Sequence, residues 1–62
     1  MTFAEIRPGM RVRHRRAGSR MHGIVTNVWP PGRGGYVNVR WRDADGTLNA
    51  SFNYQPEDLE RL

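Results

Sequence analysis

Glycine and proline interrupt this chain so often, at Pro8-Gly9, Gly18, Pro30-Pro31-Gly32, Gly34-Gly35, Asp45-Gly46 and Pro56, that no long helix fits between them. The intervening segments are rich in strand formers and repeat every second residue. Met10 to Arg15 alternates Met10, Val12 and His14 against Arg11, Arg13 and Arg15. Tyr36 to Arg42 alternates Val37, Val39 and Trp41 against Tyr36, Asn38, Arg40 and Arg42. Each strand therefore has a core face and a polar face. Met21 to Trp29 carries Ile24, Val25 and Val28, a mixed pattern that predicts a strand bent by a bulge near Gly23. Thr47 to Tyr54 sets Leu48, Ala50, Phe52 and Tyr54 against Asn49, Ser51 and Asn53, and Asp45-Gly46 supplies the tight turn before it. Gln55-Pro56-Glu57-Asp58 reads as one helical turn, after which Leu59 and Leu62 are expected to close the core.

With 62 residues, the chain is expected to be one domain, 1–62. A chain of this size buries only about 60% of its unfolded surface, so its core must be compact and self-association has to be considered. There is no cysteine, and His14 and His22 are the only histidines, which excludes a disulfide framework, a zinc ribbon and thiol chemistry. No apolar run exceeds two residues, and MTFAEIRPGM lacks the charged, apolar and small-residue order of a leader, so a soluble cytoplasmic protein is expected. The strand pattern predicts an all-β fold, a five-stranded SH3-like small barrel with one short helical turn before the last strand.

Particular residues carry a resemblance. Gly9-x-Arg11-Val12-Arg13, Gly23-Ile24-Val25, Val37-x-Val39-x-Trp41, Gly46, Tyr54 and Asp58-Leu59 resemble the KOW, Tudor-like and mind-bomb-type small barrels. Gly9-x-Arg11-Val12-Arg13, Ile24-Val25, Gly35-Tyr36 and Tyr54 followed by Leu59-Glu60-Arg61 are similar, more narrowly, to the plasmid-encoded type II dihydrofolate reductases. That second resemblance implies a tetramer around a central pore, with NADPH and folate held by the strand Ser51, Phe52, Asn53 and Tyr54. The family's Val-Gln-Ile-Tyr survives there only in its tyrosine, and His14 or Arg15 stands where its pore lysine would fall.

Charge is the clearest functional signal. All ten basic residues are arginine, and residues 1–42 hold nine of them against the single acid Glu5, whereas residues 43–62 hold Arg61 against five acids. From Arg7 to Arg20 there is no acid at all, so this run either meets a polyanion or relies on the acidic tail folding beside it. Half of any strand in a small barrel points to water, so polar faces alone are unremarkable. A face with arginines, an amide and an aromatic but no acids has the composition used for phosphate contact and base stacking. The expected partner is therefore nucleic acid, with Arg11, Arg13, Arg15, Arg40 and Arg42 as a platform, Tyr36 beside them and Arg16, Arg20 and Arg33 extending it through loops. Contacts would be largely sequence-independent.

Pro30 to Gly35 reads as a flexible hairpin loop tipped by Arg33 and flanked by Trp29 and Tyr36. No Lys-Ser/Thr or helix follows, so it is not a P-loop. Trp29, Tyr36, Trp41, Phe52 and Tyr54 could form an aromatic cage for a cation; Trp41 and Phe52 are instead assigned to the core, because the chain has few other large side chains to fill it. Material for catalysis is scarce. His14 and His22 stand in no triad or ligand spacing, and Asp43 and Asp45 flank a turn. No catalytic residue, metal or cofactor is expected on the leading reading. Two alternatives stay open: a protein-interaction or homo-oligomeric assembly module, docking an acidic segment or using an apolar patch around Trp29 and Phe52, and the NADPH-dependent reductase that the second resemblance implies.

Overall fold

A computed structural model describes residues 1–16, 22–42 and 50–62 of the chain. These residues build five antiparallel strands in one sheet: β1 (Arg11–His14), β2 (His22–Trp29), β3 (Tyr36–Arg42), β4 (Ala50–Tyr54) and β5 (Leu59–Arg61). Short 3-10 turns at Pro31–Arg33 and Pro56–Asp58 are the helical elements among the described residues. The first of these turns lies where a flexible loop was expected. The expected positions at Gly18, Arg20 and Met21, at Asp43, at Asp45-Gly46 and from Thr47 to Asn49 lie outside the described residues.

Strand order is β4-β3-β2-β1-β5, so neighbours in sequence pair until β4, after which the chain crosses to the opposite margin of the sheet and β5 pairs with β1. Proline at the start of the Pro56–Asp58 turn ends β4 because it has no N–H to donate. Pro56 itself is buried. The sheet curls so that this crossing is short: the His14 ring on β1 meets the Tyr54 ring on β4 edge-on at 5.5 Å, although β2 and β3 lie between those strands in the sheet.

The concave side holds the core of Ile6, Val12, Val25, Val37, Val39, Trp41 and Leu59. Trp41 lies there as expected, its indole N–H donating to the Tyr54 hydroxyl at 2.9 Å. Gly23 faces Trp41 across the β2–β3 ladder, and a Cβ at Gly23 would come within 2.4 Å of Val39 and 2.7 Å of the Trp41 ring. A side chain at this position therefore requires Val39 and Trp41 to shift. The segment before β1 supplies Ile6 to the core and packs Met1, Phe3 and Met10 against it. It is held by a turn in which Thr2 donates through its backbone N–H and its hydroxyl to Glu5 Oε1.

Three expectations about the core and sheet are corrected. Phe52 is 56% exposed. It stands opposite Val39 on the core-facing side, but β4 is the last strand of the sheet, and a side chain at that margin is left uncovered. Leu62 is 48% exposed and does not close the core, since it follows buried Leu59 by a step of three along extended chain and an odd step reverses the face. The bulge lies at Thr26 and not near Gly23, because Val25 and Asn27 face the consecutive partners Val39 and Asn38.

Candidate functional site

Alternation along β3 puts Tyr36, Asn38, Arg40 and Arg42 on the convex side, opposite the buried Val37, Val39 and Trp41. The ladders extend this side across the sheet in rows. Arg11 on β1 faces Ile24 on β2, which faces Arg40 on β3 and then Ser51 on β4. Arg11 and Arg40 are thus not neighbours; they flank the exposed Ile24 at two strand spacings, roughly 10 Å. In the next row His22 faces Arg42. Arg11, Arg40 and Arg42 are all exposed.

Toward the other end of the same face lies a row of amides. Asn27 faces Asn38 and Asn38 faces Asn53. The Thr26 hydroxyl donates to Asn38 Oδ1, and Asn38 Nδ2 donates to Asn53 Oδ1 at 2.8 Å. The last row pairs Trp29 with Tyr36, their rings stacked at 4.9 Å with planes 23° apart. This stack exists because of the bulge. Uninterrupted alternation from Val25 would turn Trp29 inward and Val28 outward; the extra residue at Thr26 brings Val28 opposite buried Val37 and sends Trp29 to the arginine side.

The connection beyond the stack is a built turn. The N–H groups of Arg33 and Gly35 both donate to Pro30 O, at 2.7 and 3.1 Å. Gly34 has φ +121°, and a Cβ there would strike the Tyr36 ring at 2.8 Å, so glycine is required for the turn to close over that ring. Gln55 Nε2 donates to Gly35 O at 2.8 Å and ties this turn to the β4–β5 crossing. Between the two lies an open groove of about 320 Å³, bordered by Gly34 and Gly35 and lined by Tyr36, Asn53, Tyr54, Gln55 and Asp58.

The other arginines are distributed differently. Arg13 pairs with Glu60 across the β1–β5 ladder, with Nη2 3.0 Å from Oε2. The Arg15 guanidinium donates to Glu57 O and its backbone N–H to Asp58 O. Arg7 donates to the carbonyls of Ala4 and Ile6. The acidic tail therefore does fold beside β1 and occupies Arg13 and Arg15, but not the row through Arg11. Arg16 is exposed just after β1, Arg33 sits in the turn beside the stack, and Arg20 lies outside the described residues.

Other groupings come apart. His14 lies on the concave side against Tyr54 and its Nδ1 accepts from Arg16 N–H, whereas His22 lies on the convex side opposite Arg42. The two histidines do not meet. Trp29 and Phe52 occupy opposite sides of the sheet, so they form no common apolar patch. The five candidate cage aromatics divide into the convex Trp29–Tyr36 stack, the buried Trp41 with Tyr54, and the marginal Phe52. In the strand matched to the reductase motif, Ser51 and Phe52 are exposed, Asn53 accepts from Asn38, and the Tyr54 hydroxyl accepts from Trp41.

Compared with protein-family models, curated proteins and solved structures, the chain matches none. The convex face and the adjoining groove are therefore interpreted from their own chemistry. Sequence periodicity reaches Arg11, Arg40, Arg42 and Tyr36. It misses the groove, because Asn53 and Gln55 reach Tyr36 through the β3–β4 register, and Asp58 through the turn that follows β4, neither of which alternation reveals.

Proposed function

We propose that this chain is an SH3-like small barrel that binds nucleic acid through its convex sheet face, by arginine contacts to phosphate that are largely independent of sequence. The observation that carries this reading is the register: Arg11–Ile24–Arg40 in one row, His22–Arg42 in the next, and the stacked Trp29 and Tyr36 at the far end of the same side. Planar guanidinium groups bind phosphate oxygens in pairs, and aromatic rings accept any base by stacking. The net charge of +4 draws a polyanion toward the chain. Return of the last strand to pair β1 after a single 3-10 turn supports the barrel assignment.

Arg13 and Arg15 contribute less than Arg11, Arg40 and Arg42 on this reading, because local acceptors already engage them. The test is fluorescence anisotropy of labelled mixed-sequence oligonucleotides at several salt concentrations. Binding should fall steeply with salt. On single strands, Arg11→Ala with Arg40→Ala should lower the slope of log K against log salt by about 0.7 for each phosphate that the variant no longer neutralises. An unchanged slope in the folded double variant would refute the assignment.

A further inference from the structure

Tyr36 belongs to two features at once: its ring stacks on Trp29, and it lines the groove shared with Asn53, Tyr54, Gln55 and Asp58. A strand lying along the convex face meets the stack and then the groove mouth. The chemistry changes sign there. Among the described residues no arginine lines the groove, and Asp58 is its one carboxylate. A phosphate is therefore favoured on the arginine rows and disfavoured in the groove, which suits a neutral group instead.

The groove's polar inventory narrows that group further. Gln55 directs its amide nitrogen to Gly35 O and keeps Oε1 as an acceptor; ionised Asp58 only accepts. A ligand edge with two adjacent donors fits such a site. Guanine presents N1–H and N2–H₂ side by side, matching the two oxygens of a carboxylate. Adenine and cytosine each put a ring acceptor next to their amino group, and thymine has one N–H between two carbonyls. That edge of guanine is hidden in a duplex and open in a single strand. A cationic peptide side chain would also suit Asp58, but Arg33 in the bordering turn and Arg15, which donates to the Glu57 and Asp58 carbonyls, already place positive charge next to it.

We infer that the groove takes one unstacked guanine from single-stranded nucleic acid, its donor edge toward Asp58 and its ring beside Tyr36 and Tyr54. This rests on the proposed binding of nucleic acid by the convex face. The probes are a labelled dT dodecamer, the same strand with one central dG, and the dG strand annealed to its complement. The dG strand should bind the full chain about tenfold more tightly than the dT strand, in the usual range for one well-matched base contact. Annealing should abolish that gain.

Asp58→Asn should equalise the two strands while leaving the salt slope unchanged, with the thermal midpoint reporting whether the variant is folded. A probe series on the unmutated chain makes the result independent of that variant: deoxyinosine, which lacks the N2 amino group, should lose most of the gain, and 7-deazaguanine should keep it. Equal binding of dT and dG strands, or full retention of the gain by deoxyinosine or by folded Asp58→Asn, would overturn the inference and leave the arginine face standing. An arginine-rich peptide bound in an Asp58-dependent way, with no base preference, would assign the groove to a cation instead. Failure of every oligonucleotide to bind at low salt would overturn the proposed function and this inference with it.

Discussion

Replacing Gly23 by alanine would add one methyl group where the sheet has no space for it. The new Cβ would lie 2.4 Å from Val39 Cγ1 and 2.7 and 2.8 Å from two carbons of the Trp41 ring. Carbon atoms in good contact sit about 3.5–4.0 Å apart, so the overlap exceeds an ångström at Val39. Both neighbours are fully packed, Val39 at 0% and Trp41 at 2% exposure, and neither is a flexible chain end that swings aside. Overpacking of this kind costs roughly 1–3 kcal/mol, and the upper part of that range applies because two walls must yield together. Alanine restores about 0.5–1 kcal/mol by restricting the unfolded chain, leaving a net loss of about 2 kcal/mol.

In a domain of this size each kcal/mol moves the thermal midpoint by about 4–8 °C, so Gly23→Ala should unfold roughly 8–16 °C lower. Circular dichroism melting of both proteins in one buffer measures this. Gly32→Ala is the internal control: its φ is not positive and nothing lies within 4 Å of the added Cβ, so it should melt at or slightly above the parent temperature. A Gly23→Ala protein as stable as the parent would show that β2 and β3 do not approach as described, and the rows on the convex face, which depend on the same register, would fall with it.

Tyr54→Phe keeps the ring against His14 and Trp41 but removes the acceptor of the Trp41 indole N–H, a buried donor that would then cost about 1–3 kcal/mol; a lowered denaturation midpoint and a shifted indole proton resonance check it. The Thr2 backbone N–H, followed by its hydroxyl, holds the Glu5 carboxyl below the ordinary glutamate value, so NMR titration of Glu5 should give a depressed midpoint that Thr2→Ala raises only in part. With the folded-state value lowered, the stabilising effect is present above the ordinary glutamate value and is lost as pH falls through the lowered one; a Glu5 midpoint unmoved by Thr2→Ala would remove the hydroxyl from that account.

How much of the site was legible in the sequence depended on whether the deciding interaction was local. The Tyr36–Arg42 strand matches its expected bounds, because a seven-residue alternation with β-branched and aromatic residues on one side has a single amphipathic solution. Trp41 was legible as core for the same reason. Phe52 carries the same local pattern and is exposed, since alternation tells which side a residue faces and not whether anything covers that side. Leu62 was expected beside Leu59 in the core, but an odd step along extended chain turns it to the other face. Ile6 and Phe3, which pack on the core from an irregular segment, have no periodic signature.

The sequence by itself determined an all-β chain of short strands, the faces of β1 and β3, and the separation of a basic body from an acidic tail. These follow from residue alternation, glycine and proline positions and charge counts, all of which act over a few residues. Tertiary structure decided three things. The bulge at Thr26, set by pairing with β3, turned Trp29 onto the arginine side. Glu60, brought alongside β1 by β5, engaged Arg13 and left the row of Arg11 and Arg40 as the exposed basic face. Pairing of β4 with β3 set Gln55 beside Tyr36, the turn after β4 added Asp58, both about twenty residues away in sequence, and together they made a groove where the chain alone shows only a turn. Each depends on which strand lies next to which, and that is settled only when the sheet curls around its core.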